Sequence, residues 1–243
     1  MTPTRTLATA RRVLGQLRHD PRTLALLVAV PVVLMGLLAW MLPDPVFDSW
    51  GAPLLGIFPL IIMFLVTSVA TLRERTGGTL ERLLSMPLGK GDLIFGYAGA
   101  FALLALAQAT VVSLFAFGVF GLDVRGSAWL VSLVAVVDAV LGTALGLFVS
   151  AFASTEFQAV QFMPIVVIPQ LLLCGLIVAT DDLPDPLRWL SQVMPLTYAV
   201  EAAREVLDSP DVTATFRFDV AVIAGFVVVL LGLGSATLRR RTP

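Results

Sequence analysis

An all-α membrane protein with six transmembrane helices is the fold class this sequence predicts, and three observations predict it. Of its 243 residues 58% are apolar and 14% charged, against roughly one quarter charged in soluble domains, and the mean hydropathy is +0.93. Six stretches reach the roughly 20 apolar residues that a helix needs to cross a hydrocarbon core about 30 Å thick. No stretch shows the alternating pattern of a barrel strand, and in lipid only helices and closed barrels satisfy every backbone group. The net charge of −1 conceals short clusters of Arg and acids lying between the apolar runs.

Residues 1–22 are expected to form a cytoplasmic interfacial helix. Leu7, Ala10, Leu14 and Leu17 recur at helical spacing, while Arg5, Arg12 and Gln16 fall on other faces. A basic flank without fixed structure is the alternative. No small-residue cleavage site follows the first apolar run, so the segment is expected to be retained. Residues 23–243 are expected to form a single six-span domain, with spans at 23–42, 52–72, 93–120, 128–152, 162–179 and 220–238. Polar segments at 73–92 and 180–219 are too long to be mere connections.

Basic residues set the expected orientation. With the N-terminus inside, twelve of the sixteen fall on cytoplasmic segments: Arg5, Arg11, Arg12, Arg18, Arg22, Arg73, Arg75, Arg82, Lys90, Arg239, Arg240 and Arg241. Arg125, Arg188, Arg204 and Arg217 lie outside, with Asp44, Asp48, Asp181, Asp182 and Asp185. Both termini are therefore expected in the cytoplasm.

Missing motifs narrow the chemistry. No G-x-x-x-x-G-K-[ST], G-x-S-x-G or H-E-x-x-H occurs, and His19 is the single histidine, so P-loop ATP binding and Ser-His or His-metal catalysis are not expected. Cys174, the one cysteine, excludes an intrachain disulfide and is expected to be a small buried side chain. The chain is not expected to be an enzyme or to bind a metal or cofactor itself. Nucleic acid is not an expected partner.

The strongest positive signal runs from Arg73-Glu74-Arg75-Thr76-Gly77-Gly78-Thr79-Leu80-Glu81-Arg82-Leu83-Leu84-Ser85-Met86-Pro87 on to Phe95-Gly96-Tyr97. Thr79 can cap a short helix, Leu80, Leu83 and Leu84 make one apolar edge, Glu81 suits the positive N-terminal end, and Pro87 stops it. A turn resting on lipid headgroups is the plainer reading. Through Glu74, Gly78, Thr79, Leu80, Glu81, Leu83, Leu84 and Pro87 the chain resembles the type-2 ABC exporter permeases, including daunorubicin-resistance-type exporters, whose first cytoplasmic loop reads E-x-x-x-G-T-L-E-x-L-L-x-x-P. The resemblance implies that these residues form a coupling helix docking on a separately encoded ATPase.

A second match runs from Leu183-Pro184 through Trp189 to Pro195-Leu196-Thr197-Tyr198 and Arg204, similar to the family's L-P-x-x-L and P-L-T-Y segments. It implies short re-entrant helices before the last span, and Trp189 and Tyr198 suit the membrane interface. Where family members often carry Ser-Gly ahead of this region, this chain has Cys174-Gly175, so the kink after the fifth span is left open.

Polar residues inside the spans are candidates for a transport pathway. Asp138 in the fourth span must find a partner or cost several kcal/mol. A hydrogen bond from Gln108 of the third span is one expectation, and a structural clamp or a protonated acid the other. Gln161 and Gln170 flank Pro164 and Pro169, whose freed carbonyls would kink the fifth span. Gly142 and Gly146 form a small-xxx-small pair expected to serve packing within the chain rather than dimerisation.

The resemblance implies a permease subunit that dimerises with a second copy or a paralogue. It would bind two ATPase copies carrying ATP and Mg, and export a hydrophobic or amphipathic drug or lipid. A bacterial inner membrane is the expected location, because the Arg-rich, Lys-poor composition is similar to that of high-GC bacterial proteins. The alternatives are a proton-coupled transporter using Asp138 and a membrane-embedded lipid-modifying enzyme. With Cys174 replaced, cysteines introduced at Ser49, Ser127 or Ser209 should react with an impermeant thiol reagent from outside sealed cells, and one at Ser85 should not. Labelling of the Ser85 position from outside would reverse the orientation.

Overall fold

The computed structural model describes residues 3–77 and 90–237. Its helices are α1 (Pro3–Arg18), α2 (Pro21–Met41), α3 (Asp44–Thr76), α4 (Lys90–Gly118), α5 (Ala128–Ser150), α6 (Glu156–Leu173), α7 (Asp185–Gln192), α8 (Pro195–Asp208) and α9 (Ala214–Thr237), with a 3-10 turn at Thr180–Asp182. Six of these, α2 to α6 and α9, are long and apolar enough to cross a membrane. The chain is an all-helical membrane protein.

Local chemistry sets the helix ends. Asp20 caps α2 by accepting from the Thr23 amide at 3.2 Å and from the Thr23 hydroxyl at 2.6 Å, and Pro21 fills the first position, where its missing N–H is harmless. Those two bonds hold the Asp20 carboxyl below its ordinary pKa. Thr155 caps α6 by accepting from the Gln158 amide at 3.2 Å, so that helix starts at Glu156 rather than at residue 162, where the apolar run begins. It ends at Leu173, short of residue 179, because the chain breaks at Cys174-Gly175 with Gly175 at φ +87°, a conformation that favours glycine.

Successive spans alternate in direction, and their end contacts define two ends of the bundle. At one end Arg73 of α3 meets Glu156 of α6, and Gly234 of α9 lies beside Phe148 of α5. At the other, Gly36 of α2 lies against Phe120 and Gly51 of α3 against Leu122, both in the α4–α5 connection, while the Gly126 amide donates to the Val206 carbonyl of α8 at 2.9 Å. α7 and α8 cover this second end. α1 lies at the first end, packed mainly on α4 with Thr9 and Val13 buried and Leu7 exposed. Its apolar face is thus partly a protein contact and not wholly a lipid one.

The most extensive helix pair is α3 with α5, and it is a backbone contact. A Cβ added at Gly142 would come 2.2 Å from the Leu60 carbonyl oxygen, and one at Gly146 would come 2.6 Å from that of Phe64. The small-xxx-small pair serves packing within the chain. In lipid, helices gain little hydrophobic energy from touching, so close backbone approach and the dispersion it brings hold such pairs.

Gly142→Ala must push α3 and α5 apart and should destabilise the purified protein by about 1–3 kcal/mol. Gly99→Ala, where an added Cβ meets nothing within 4 Å, should be close to neutral. Thermal unfolding in detergent compares the two, and equal melting temperatures would contradict the seam.

Candidate functional site

The last turn of α3 carries Arg73-Glu74-Arg75, and each side chain ties down a different neighbour. Arg73 donates from Nε and Nη2 to the Glu156 carboxylate of α6 at 2.7 and 2.9 Å. Glu74 accepts from Arg12 of α1, Nη1 reaching both of its oxygens and Nη2 reaching Oε2, all at 3.2 Å. Arg75 donates from Nη1 to the Ser150 carbonyl at the end of α5. Arg12 Nη2 also donates to the Tyr97 hydroxyl of α4 at 2.6 Å, and its guanidinium carbon stands 5.8 Å from that ring's centroid.

Gly96 makes the Arg12 contact reachable. A Cβ there would meet Thr9 Cβ at 2.6 Å and the Thr6 carbonyl at 3.0 Å, so α1 rides directly on the α4 backbone. Burial works against the Arg12 charge, but Tyr97 and Glu74 outweigh it and raise the guanidinium pKa. The Arg73–Glu156 pair is exposed, and such pairs contribute little. The Arg12–Glu74 fork is partly buried and stronger.

Of the residues expected to contact an ATPase, Glu74 is therefore held inside the chain. Gly78, Thr79, Leu80, Glu81, Leu83, Leu84 and Pro87 lie outside the described residues. Arg12 and Tyr97 were not singled out as site residues by sequence. Tyr97 closes the same motif stretch, but nothing in the one-dimensional pattern joins it to Arg12.

The four polar candidates within the spans, Gln108, Asp138, Gln161 and Gln170, share no hydrogen bond with one another among the described residues. Gln108 Nε2 donates to the Leu27 carbonyl of α2 at 2.8 Å rather than to Asp138. The cause is Pro31, which has no N–H to offer the carbonyl four residues earlier, so Leu27 presents an orphan acceptor that Gln108 satisfies. Asp138 is fully buried on α5 opposite Gly56 of α3, where an added Cβ would lie 2.9 Å from its Oδ2. Neither of its carboxylate oxygens has a hydrogen-bond partner among the described residues. Gln170 Nε2 donates within its own helix to the Val166 carbonyl at 2.9 Å, and Gln161 is exposed on α6.

The second end is ordered by the other motif. Pro184 precedes α7 and Pro195 opens α8. The Tyr198 hydroxyl donates to the Gln192 carbonyl at 2.7 Å, and its ring meets Phe218 of α9 edge-on at 6.3 Å. Arg204 Nη2 donates to the Leu176 carbonyl at 3.3 Å, pinning the break after α6 to α8, while Trp189 is exposed. Partial burial, then Asp181 and Glu205 nearby, raise the Glu201 carboxyl above its ordinary pKa.

Comparison with known proteins adds a second line. The family model described as ABC-2 type transporter matches residues 4–207. The chain is 32% identical over 142 residues to ABC transporter G family member 20 of Dictyostelium discoideum, spanning 58% of this chain and 20% of that protein. It is 26% identical over 168 residues to the probable multidrug ABC transporter permease YbhR of Escherichia coli, spanning 69% and 46%. It is also 26% identical over 162 residues to the inner membrane transport permease YhhJ of Escherichia coli, spanning 65% and 43%. The matched region is thus less than half the length of each of these relatives.

If the Arg12–Glu74 fork holds α1 on the bundle, Glu74→Ala and Arg12→Ala should each lower stability by about 1–3 kcal/mol, because each strands a partly buried charge. The double variant should then cost less than the two single losses summed. Additive losses in thermal unfolding would show that the two charges do not interact.

Proposed function

The chain belongs to the ABC-2 type transporter family, and on that premise we propose that it is the permease subunit of an ATP-driven exporter, moving a hydrophobic or amphipathic drug or lipid out of the cytoplasm. The reading is supported by a family match that runs through most of the bundle, and by the words multidrug and permease in the names of relatives. The observation that carries it is the last turn of α3. Arg73, Glu74 and Arg75 bind α6, α1 and α5, and through Arg12 also α4, so a force on the segment after Gly77 reaches four helices at once.

In this reading residues 78–87 form the coupling helix and face the cytosol, as do both termini, in a bacterial inner membrane. Two permease copies, identical or related, hold two copies of a separate ATPase, which carry ATP and Mg. This chain performs no covalent step. Closure of the ATPase pair on ATP favours one arrangement of the coupling segments over another, and that difference in affinity drives the spans toward an outward-opening state.

Gly78 and Thr79 start the helix, Leu80, Leu83 and Leu84 enter a groove on the ATPase, Glu81 meets a donor at its rim, and Pro87 ends the contact. Glu74 acts one step back, fixing the base of the segment to α1. A proton-coupled route through Asp138 has less support, since a relay needs hydrogen-bonded neighbours and its two oxygens have no hydrogen-bond partner among the described residues. Asp138, Gln108 and Gln170 then act as structural polar groups, and Gln161 remains a candidate for the pathway surface.

Leu83→Ala combined with Leu84→Ala should leave the permease inserted but weaken co-purification of its ATPase by more than about 2 kcal/mol, and abolish substrate-stimulated hydrolysis. Glu81→Ala should disturb coupling with a smaller loss of assembly. Normal binding and export by the double variant would remove the coupling assignment. In the same proteoliposomes Asp138→Asn should retain transport, and its loss with assembly intact would restore the proton-coupled route.

A further inference from the structure

At the end of the bundle away from Arg12 lies a cavity of about 500 Å³, walled by the start of α3, the α4–α5 connection and the last turns of α8. Its lining combines both signs of charge: Arg125 and Arg204 with Asp48, Asp123 and Asp208. Neither arginine comes within 4.0 Å of a carboxylate oxygen of any described residue. Asp48 Oδ1 accepts from the Asp123 amide at 2.9 Å and Arg204 donates to the Leu176 carbonyl, which positions the walls without neutralising them. The exposed Arg125 guanidinium has no hydrogen-bond partner among the described residues.

Opposite charges held apart around one cavity suit a ligand that carries both. A guanidinium fork matches a phosphate, and an ammonium suits carboxylates beside an aromatic face, here that of Trp50 in the same wall. The level of the cavity identifies the source of such a ligand. All four tryptophans of the chain gather at this end: Trp40 closes α2, Trp50 lines the cavity, Trp129 opens α5, and Trp189 lies on α7. Tryptophan concentrates where headgroups meet water, so the cavity opens into the headgroup layer.

We propose that this cavity binds the headgroup of a zwitterionic phospholipid, with its phosphate on Arg125 and Arg204 and its ammonium among Asp48, Asp123 and Asp208. The site needs the six spans to lie in a bilayer but is independent of ATP-driven export, so either reading can fail alone.

The test uses the purified full chain, delipidated in detergent and titrated with phosphatidylethanolamine or phosphatidylglycerol of matched acyl chains, with bound lipid counted by native mass spectrometry. Phosphatidylethanolamine should bind about tenfold more tightly, and Arg125→Ala or Asp123→Asn should each lose about tenfold, the scale of one charge-assisted hydrogen bond. Circular dichroism should be unchanged, since Arg125 and Asp123 are exposed loop residues. Equal binding of the two lipids, or a preference that survives the double variant, would overturn the site. Free phosphoethanolamine should compete weakly. Displacement of the lipid at equal concentration would make a soluble zwitterion the ligand and overturn the lipid assignment.

Discussion

Close contact between α3 and α5 is the constraint around which the rest of the bundle is arranged, because two helices that touch through glycine and carbonyl leave little side chain to adjust. Gly142 under Leu60, Gly146 under Phe64 and Gly56 under Asp138 bring the pair together along their middles. α5 then offers its remaining faces to α4 and α9, and α3 extends beyond it to the turn where Arg73, Glu74 and Arg75 spread to three neighbours. The buried Asp138 sits within this seam, its Oδ2 facing Gly56 of α3.

Much of this was legible in the sequence where the cause is local. Hydropathy counted six helices long and apolar enough to cross a membrane because lipid admits only such helices, and the spacing of Gly142 and Gly146 identified a close helix contact. The start of α6 was misplaced because Thr155 and Glu156, which set it, are polar residues that an apolar count passes over. Proline was read as a source of kinks, yet its larger effect at Pro31 is the orphan Leu27 carbonyl that claims Gln108 from another helix. No periodicity in α4 could have reported that bond, and pairing two mid-span polar residues by depth alone gave the wrong partner.

The stretch from Arg73 to Tyr97 is the segment the sequence points to, but the role of Glu74 within it is not legible there. Glu74 reads as part of an external docking motif, but the structure turns it toward Arg12 and so makes α1 part of the same unit. Such a contact spans distant positions of the chain and depends on Gly96 letting α1 settle on α4. It is a tertiary fact, set by which faces meet.

α3 also has a mechanical consequence. Its 33 residues make a rod roughly 50 Å long at about 1.5 Å per residue, well beyond a hydrocarbon core about 30 Å thick. The glycine seam grips it from Gly56 to Ser68, and the turns beyond are braced, with Thr71 and Leu72 buried and Arg73, Glu74 and Arg75 bound to α6, α1 and α5. A braced arm of this kind transmits rather than swings: a push at its tip is shared among the helices tied to it and arrives at the seam as torque. Softening the arm, for example with glycines between Leu65 and Leu72, would leave its two ends in place while severing the leverage between them.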